Sequence, residues 1–324
     1  MVLPIKIRYL LEMTEMNAYQ CKSPVLFLVF NRPDVTARVF RAIRQARPAR
    51  LYVAADGTRP ERQGEAQKVA KVREIATQVD WDCKVITLFR ERNLGCGKAV
   101  SEAITWFFEN EEMGVILEDD VLPNNSFFQF CDELLKRYRH DERIGLISGS
   151  YSLPTQIEAD NESYFLARYG RIWGWASWRR AWQGYDINID FWPKMKLLQS
   201  HRCFFEKTEH ADHYERIWDR IYAGQVNTWD YQWDLKRLAD LRFTIVSTTN
   251  LIENLGFAES GTHTVVESPQ KRLLAGAMVF PLVHPAPLML DFRRDRETHN
   301  LRYSPFRYRL HMKVKRLKQI FSLR

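Results

Sequence analysis

Between residues 24 and 148, short apolar runs alternate with helical patterns, and this alternation limits the possible folds more than any other feature of the chain. Residues 25–30 (VLFLVF), 51–55 (LYVAA), 84–88 (KVITL), 113–117 (MGVIL) and 144–148 (IGLIS) read as strands. Asp34 can cap a helix to about residue 46, with Val35, Val39 and Ile43 on one face. A polar helix spans residues 61–78, a third 98–110, and Ser126 caps a fourth reaching 139. Strands alternating with helices predict an α/β fold: a Rossmann-like, mostly parallel sheet with right-handed crossovers, flanked by helices. The second half is mixed. An aromatic-rich segment (169–192) precedes helical stretches at 201–222 and 231–239, a strand at 243–246, and a loop region rich in Pro, His and Arg.

The fourth run ends in Glu118-Asp119-Asp120. Unpaired buried charge is costly, so the triplet lies outside the core. The carboxyl edge of an open α/β sheet is where ligands bind. Carboxylates clustered there suit a hard cation that holds phosphates, although a solvated turn opening the next helix explains them equally well. Other polar residues end the neighbouring runs: Asn31-Arg32-Pro33, Asp56-Gly57 and Arg92-Asn93. On one parallel sheet these groups converge. Arginines can neutralise a diphosphate, and an Asp can accept from a nucleobase N–H.

The glycine-rich Asn93-Leu94-Gly95-Cys96-Gly97-Lys98 is not a Walker loop, because Arg92 and Ala99 stand where Gly and Ser/Thr are needed. It also fails the dinucleotide fingerprint, with Val100 in place of the third Gly. A basic turn entering a helix N-terminus remains, which suits anionic groups.

The net charge of +8 favours anionic partners: nucleotides, nucleic acid or an anionic membrane face. The five cysteines are odd in number and lack C-x-x-C spacing, which predicts a reducing, cytoplasmic setting without disulfides or a zinc knuckle. Residues 1–22 lack the long apolar core of a signal peptide, and the apolar stretch 273–283, broken by Pro281, is too short to span a bilayer.

The string Val115 to Pro123 (VILEDDVLP), followed by Phe127-Phe128, resembles the acidic metal motif of GT-A glycosyltransferases, most nearly the N-acetylglucosaminyltransferase I family and its bacterial relatives. The upstream strand ends stand in the family's order. Residues 170–175 (GRIWGW) resemble its aromatic acceptor-side segment, and Thr228-Trp229-Asp230 its W-D segment. The resemblance covers residues 24–263. It implies a GT-A fold, with residues 23–150 binding a nucleotide-sugar donor, usually UDP-linked. Residues 151–300 would form the acceptor-binding, catalytic half of the same domain. Inverting transfer to a hydroxyl of a glycan or lipid-linked acceptor is the implied reaction.

The roles it implies run as follows. Asp120 ligates Mn2+ or Mg2+. Glu118 and Asp119 contact the ribose or donor sugar, Asp56 the base, and Arg32 and Arg92 phosphate or base. Asp230 is the general base, with Asp234, one helical turn on, as the alternative. His263 is an added metal or phosphate ligand. Trp173, Gly174 and Trp175 face the acceptor. Trp175, Trp178 and Trp182 also have the spacing of a packed helical face. His210 and His213 (i, i+3) read as a solvated helix face for want of a third ligand.

The tail at 301–324 is basic, with Leu310, Val314, Leu317 and Phe321 on one helical stripe. It could lie on an anionic membrane at the inner face or dock on the domain. Two rival readings are a nucleic-acid-binding or processing protein, disfavoured because basic residues are dense only at the tail, and a non-catalytic adaptor with a decayed transferase fold.

Overall fold

The computed structural model of the chain describes residues 19–151, 153, 161–257 and 274–303. The first four apolar runs form β1 (Val25–Val29), β2 (Arg50–Ala55), β3 (Lys84–Phe89) and β4 (Met113–Glu118). A three-residue β5 (Val121–Pro123) follows, and the fifth run forms β6 (Ile144–Ser148). The intervening helices are α1 (Pro33–Ala46), α2 (Glu65–Thr77), α3 (Gly95–Asn110) and α4 (Asn125–Arg137). The second half adds β7 (Tyr164–Ala167), β8 (Trp175–Trp178), α5 (Arg179–Trp182) and α6 (Trp192–Leu197). Then come α7 (Thr208–Tyr222), α8 (Asp230–Ala239), β9 (Phe243–Ser247), β10 (Ile252–Asn254) and α9 (Phe292–Tyr303).

One eight-stranded sheet runs β3-β2-β1-β4-β8-β6-β9-β7, drawing strands from both halves of the chain. β3, β2, β1 and β4 are mutually parallel, with Val25 opposite both Leu51 and Val115. Period-two alternation divides their side chains between two faces. Val25, Phe27 and Val29 join one buried cluster with Val39, Ile43 and Phe127, while Leu26 and Leu28 join another with Ile104 and Phe107. Burial on both faces is why β1, β2 and β4 read as unbroken apolar runs, whereas β3 stands at the sheet edge and is only partly covered.

The sheet departs from simple alternation at its centre. β8 inserts antiparallel between β4 and β6, pairing Ile116 with Trp175 and Ile147 with Ala176. Trp175, Trp178 and Trp182 are all buried, and burying aromatic surface of this size outweighs the weak local strand pattern. Trp175 is therefore a core residue, which corrects the expectation that it faces the acceptor.

At the far edge, Asp291 donates its N–H to the Leu166 carbonyl at 2.9 Å, and Ser163 to that of Val283 at 2.9 Å. The segment 276–291 thus covers the outer edge strand, which would otherwise present unpaired backbone groups.

Candidate active site

The carboxyl ends of β1 to β4 enclose a cavity of about 590 Å³, within the size range of small-molecule sites. Its other walls are the first turn of α3, the 227–230 loop, and Trp173. The strand ends converge there as Asn31-Arg32, Asp56, Asn93 and Glu118-Asp119-Asp120. Arg92 does not. Its side chain is exposed and outside the lining, whereas Arg59 and Arg90 line the cavity. β3 ends at Phe89, so Arg90 rather than Arg92 stands at the sheet edge. Arg90 pairs with Glu102 at 2.7 Å, and Arg59 pairs with Glu65.

Glu118 ends β4 and Asp119-Asp120 form the turn to β5, with Arg32 paired to both. The Arg32 Nη2 pairs with Asp119, its Nε lies 3.4 Å from Asp119 Oδ2, and its Nη1 lies 3.0 Å from Asp120 Oδ2. Glu118 has no such partner among the described residues. Burial first, then the carboxylates of Asp120, Asp119 and Asp230, push its carboxyl up to about 8. Burial also raises Asp119, against the pull of Arg32. Gly256 lets Asp120 sit close to the backbone, since a Cβ there would come within 2.3 Å of Asp120 Oδ2. Among the described residues no cluster of three or more His, Cys, Asp or Glu is arranged as a metal site. The donor chemistry still suits a hard cation: the lining carries five carboxylates (Asp56, Glu118, Asp119, Asp120, Asp230) against three guanidiniums (Arg32, Arg59, Arg90), a formal excess of two negative charges.

Asp56 lines the cavity and is also engaged within the protein. Its Oδ1 accepts the N–H groups of Gly57 (2.8 Å) and Leu94 (2.9 Å), and its Oδ2 those of Leu94 and Gly95 (both 3.1 Å). The carboxylate ties the end of β2 to the start of α3. The Gly97 N–H donates to Asn227 Oδ1 at 2.9 Å. These partners take up the amides of residues 94, 95 and 97 at the helix N-terminus expected to meet an anion. The glycines serve close packing: a Cβ at Gly95 or Gly97 would come within 2.6 Å of the Asn227 side chain.

Asp230 begins α8, accepts from Thr228 Oγ1 and faces the cavity. It is held there by buried Trp229, whose ring stacks on Trp175 at 5.9 Å and whose carbonyl accepts from Tyr185 Oη at 3.0 Å. Asp234 lies outside the lining and pairs with Arg237 Nη2 at 2.6 Å. Of the acceptor-side residues, Trp173 lines the cavity under the Arg171 guanidinium, 5.1 Å from the ring centroid. Gly174 (φ +63°) makes the turn that sends Trp173 to the cavity and Trp175 to the core, and a Cβ there would come within 2.3 Å of Ile252. His263 and the tail stripe at 310–321 lie outside the described residues. His210 is buried against His299, with ring centroids 3.4 Å apart, so it is not on a solvated face.

Arg90 belongs to the basic turn read from the sequence, with Arg92 and Lys98. Arg59 and Asn227 went unread, although each stands within three residues of a motif singled out there: Asp56-Gly57 and Thr228-Trp229-Asp230. No protein-family model matches the chain, and no curated protein matches it. Among solved structures, a UDP-glucose pyrophosphorylase complexed with UDP-glucose aligns with 70% of this chain and 90% of its own, at 9% identity and a TM-score of 0.35. That likeness adds nothing beyond the α/β fold described above.

Proposed function

We propose that this chain is an inverting nucleotide-sugar glycosyltransferase of GT-A type. The observation that carries the reading is the position of Asp230: a carboxylate on a rigid helix start, facing the acidic triplet across one cavity. Asp230 would accept the proton of an acceptor hydroxyl as its oxygen attacks the anomeric carbon. The bond from that carbon to the diphosphate oxygen breaks, and its electron pair leaves with the diphosphate. A positioned carboxylate contributes roughly 10²–10⁴-fold in such a step. Trp173 offers an aromatic face to a sugar ring.

Leaving diphosphate adds negative charge to a cavity already formally negative by two. That sum already includes Arg32, Arg59 and Arg90, so the added charge calls for a further cation. Asp120, with Glu118 beside it, is the residue we assign to hold Mn2+ or Mg2+, which when bound would neutralise the leaving group. The acceptor we infer is a hydroxyl of a glycan or lipid-linked glycan. An anionic membrane surface would meet the basic tail, residues 304–324, which carries seven Lys/Arg and no Asp/Glu. An acidic cavity is ill suited to a nucleic-acid backbone, which selects strongly for positive charge.

The test is release of free nucleotide from a panel of UDP-sugars, with and without acceptor glycans and Mn2+. Transfer by the native chain that Asp230→Asn abolishes supports the proposal. Undiminished transfer by that variant would sink the base assignment.

A further inference from the structure

Glu65 opens α2 beneath the cavity without lining it, and it is only 5% exposed. Its carboxylate accepts Asn31 Nδ2 at 2.9 Å, the Arg59 backbone N–H at 2.8 Å and Arg59 Nε at 3.1 Å. Asn31 and Arg59 line the cavity from the ends of β1 and β2, neighbouring strands of the sheet. One buried carboxylate thus ties two cavity walls together.

An ionised carboxylate only accepts hydrogen bonds, so it dictates which end of the Asn31 amide faces it. The NH2 turns to Glu65, and Oδ1 is left as the group available to a ligand; among the described residues Oδ1 accepts nothing. Asp56, the other acid at this end, already spends both oxygens on backbone amides. Glu65 stays ionised because the side-chain hydrogen bonds from Arg59 hold its carboxyl down to about 2.

We propose that Glu65 is a positioning residue that sets base specificity: it locks Asn31 with Oδ1 as acceptor for the ring N3–H of uracil. Cytosine carries an acceptor at N3, so the same arrangement opposes it. The inference rests on the nucleotide-sugar reading of this cavity and adds the residue pair that selects the base.

The experiment is calorimetric titration of UDP and CDP, with Mn2+ present, into the native chain, Glu65→Gln and Asn31→Ala. Melting curves establish that each variant is folded. The native chain is expected to prefer UDP by about tenfold, the scale of one mismatched hydrogen bond. Glu65→Gln supplies a donor as well as an acceptor and frees the Asn31 amide to turn, so the UDP:CDP ratio should fall toward one. Asn31→Ala should bring the ratio to one even if Glu65→Gln does not fold. Equal weakening of both nucleotides in Glu65→Gln, with the ratio kept, would overturn the inference, as would a native chain that binds CDP as well as UDP. A native chain that binds neither overturns the nucleotide reading and the inference together.

Discussion

Replacing Asp56 by Asn separates two tasks that a carboxylate at a strand end can perform. The side chain accepts three backbone N–H groups through four contacts of 2.8–3.1 Å. In Asp56→Asn one oxygen becomes an NH2. Whichever way the amide turns, that NH2 faces at least one of the donors Gly57, Leu94 or Gly95. Hydrogen bonds to a charged acceptor contribute about 1.5–3 kcal/mol each. One is lost outright and the others weaken to neutral bonds, so the cost should be about 3 kcal/mol. Against a typical stability of about 5–15 kcal/mol the variant still folds. Urea unfolding should show a lower midpoint at unchanged slope, and hydrogen exchange at the Leu94 and Gly95 amides should accelerate. An unchanged midpoint with selective loss of nucleotide binding would refute the bracing role and restore Asp56 as a reader of the base.

Asp230→Asn should lower kcat for transfer by roughly 10²–10⁴-fold with donor KM little changed, whereas Asp234→Asn should spare kcat and cost about 2 kcal/mol by weakening the partner of buried Arg237. Steady-state kinetics and urea unfolding on both variants decide which acid is the base. Gly97→Ala should cost about 1–3 kcal/mol, because its Cβ would fall within 2.9 Å of the Thr228 carbonyl; unfolding at native stability would contradict that packing. The lowered carboxyl of Glu65, at about 2, contributes stability that is full above its ordinary value and lost as pH falls through the folded one. Between pH 5 and pH 3 the native chain should therefore lose about 2 kcal/mol more stability than Glu65→Gln, seen as a steeper fall in melting temperature, and parallel curves would exclude the linkage.

What the sequence reveals follows the range of the interactions involved. β1, β2 and β4 are legible because each is an apolar run buried on both faces, a pattern carried within five or six residues, and the half-covered edge strand β3 keeps enough of it to be read. β8 is not, because four residues that begin and end in tryptophan hold no local strand signal and take their place through the partners they cover. The acidic triplet and Asp230 are legible as polar groups at element ends, and they line one cavity. The backbone contacts of Asp56 are not, because a ligand and the amides of Leu94 and Gly95 make the same demand of a carboxylate. Gly95 and Gly97 look like a phosphate turn for a similar reason. What requires them is Asn227, 130 residues from Gly97, and no local pattern carries that contact.

The central claim is that this cavity binds a nucleotide sugar with the help of a cation at Asp120. It is tested most directly by thermal unfolding of the native chain and Asp120→Ala against a panel of nucleotide sugars, with and without Mn2+. Ligand that binds only the folded state stabilises it by about 2.7 kcal/mol at 100 times Kd. The account predicts that a UDP-sugar raises the native melting temperature, that Mn2+ enlarges the rise, and that Asp120→Ala removes the enlargement. A panel with no shift, or a shift that neither Mn2+ nor Asp120→Ala alters, would contradict it.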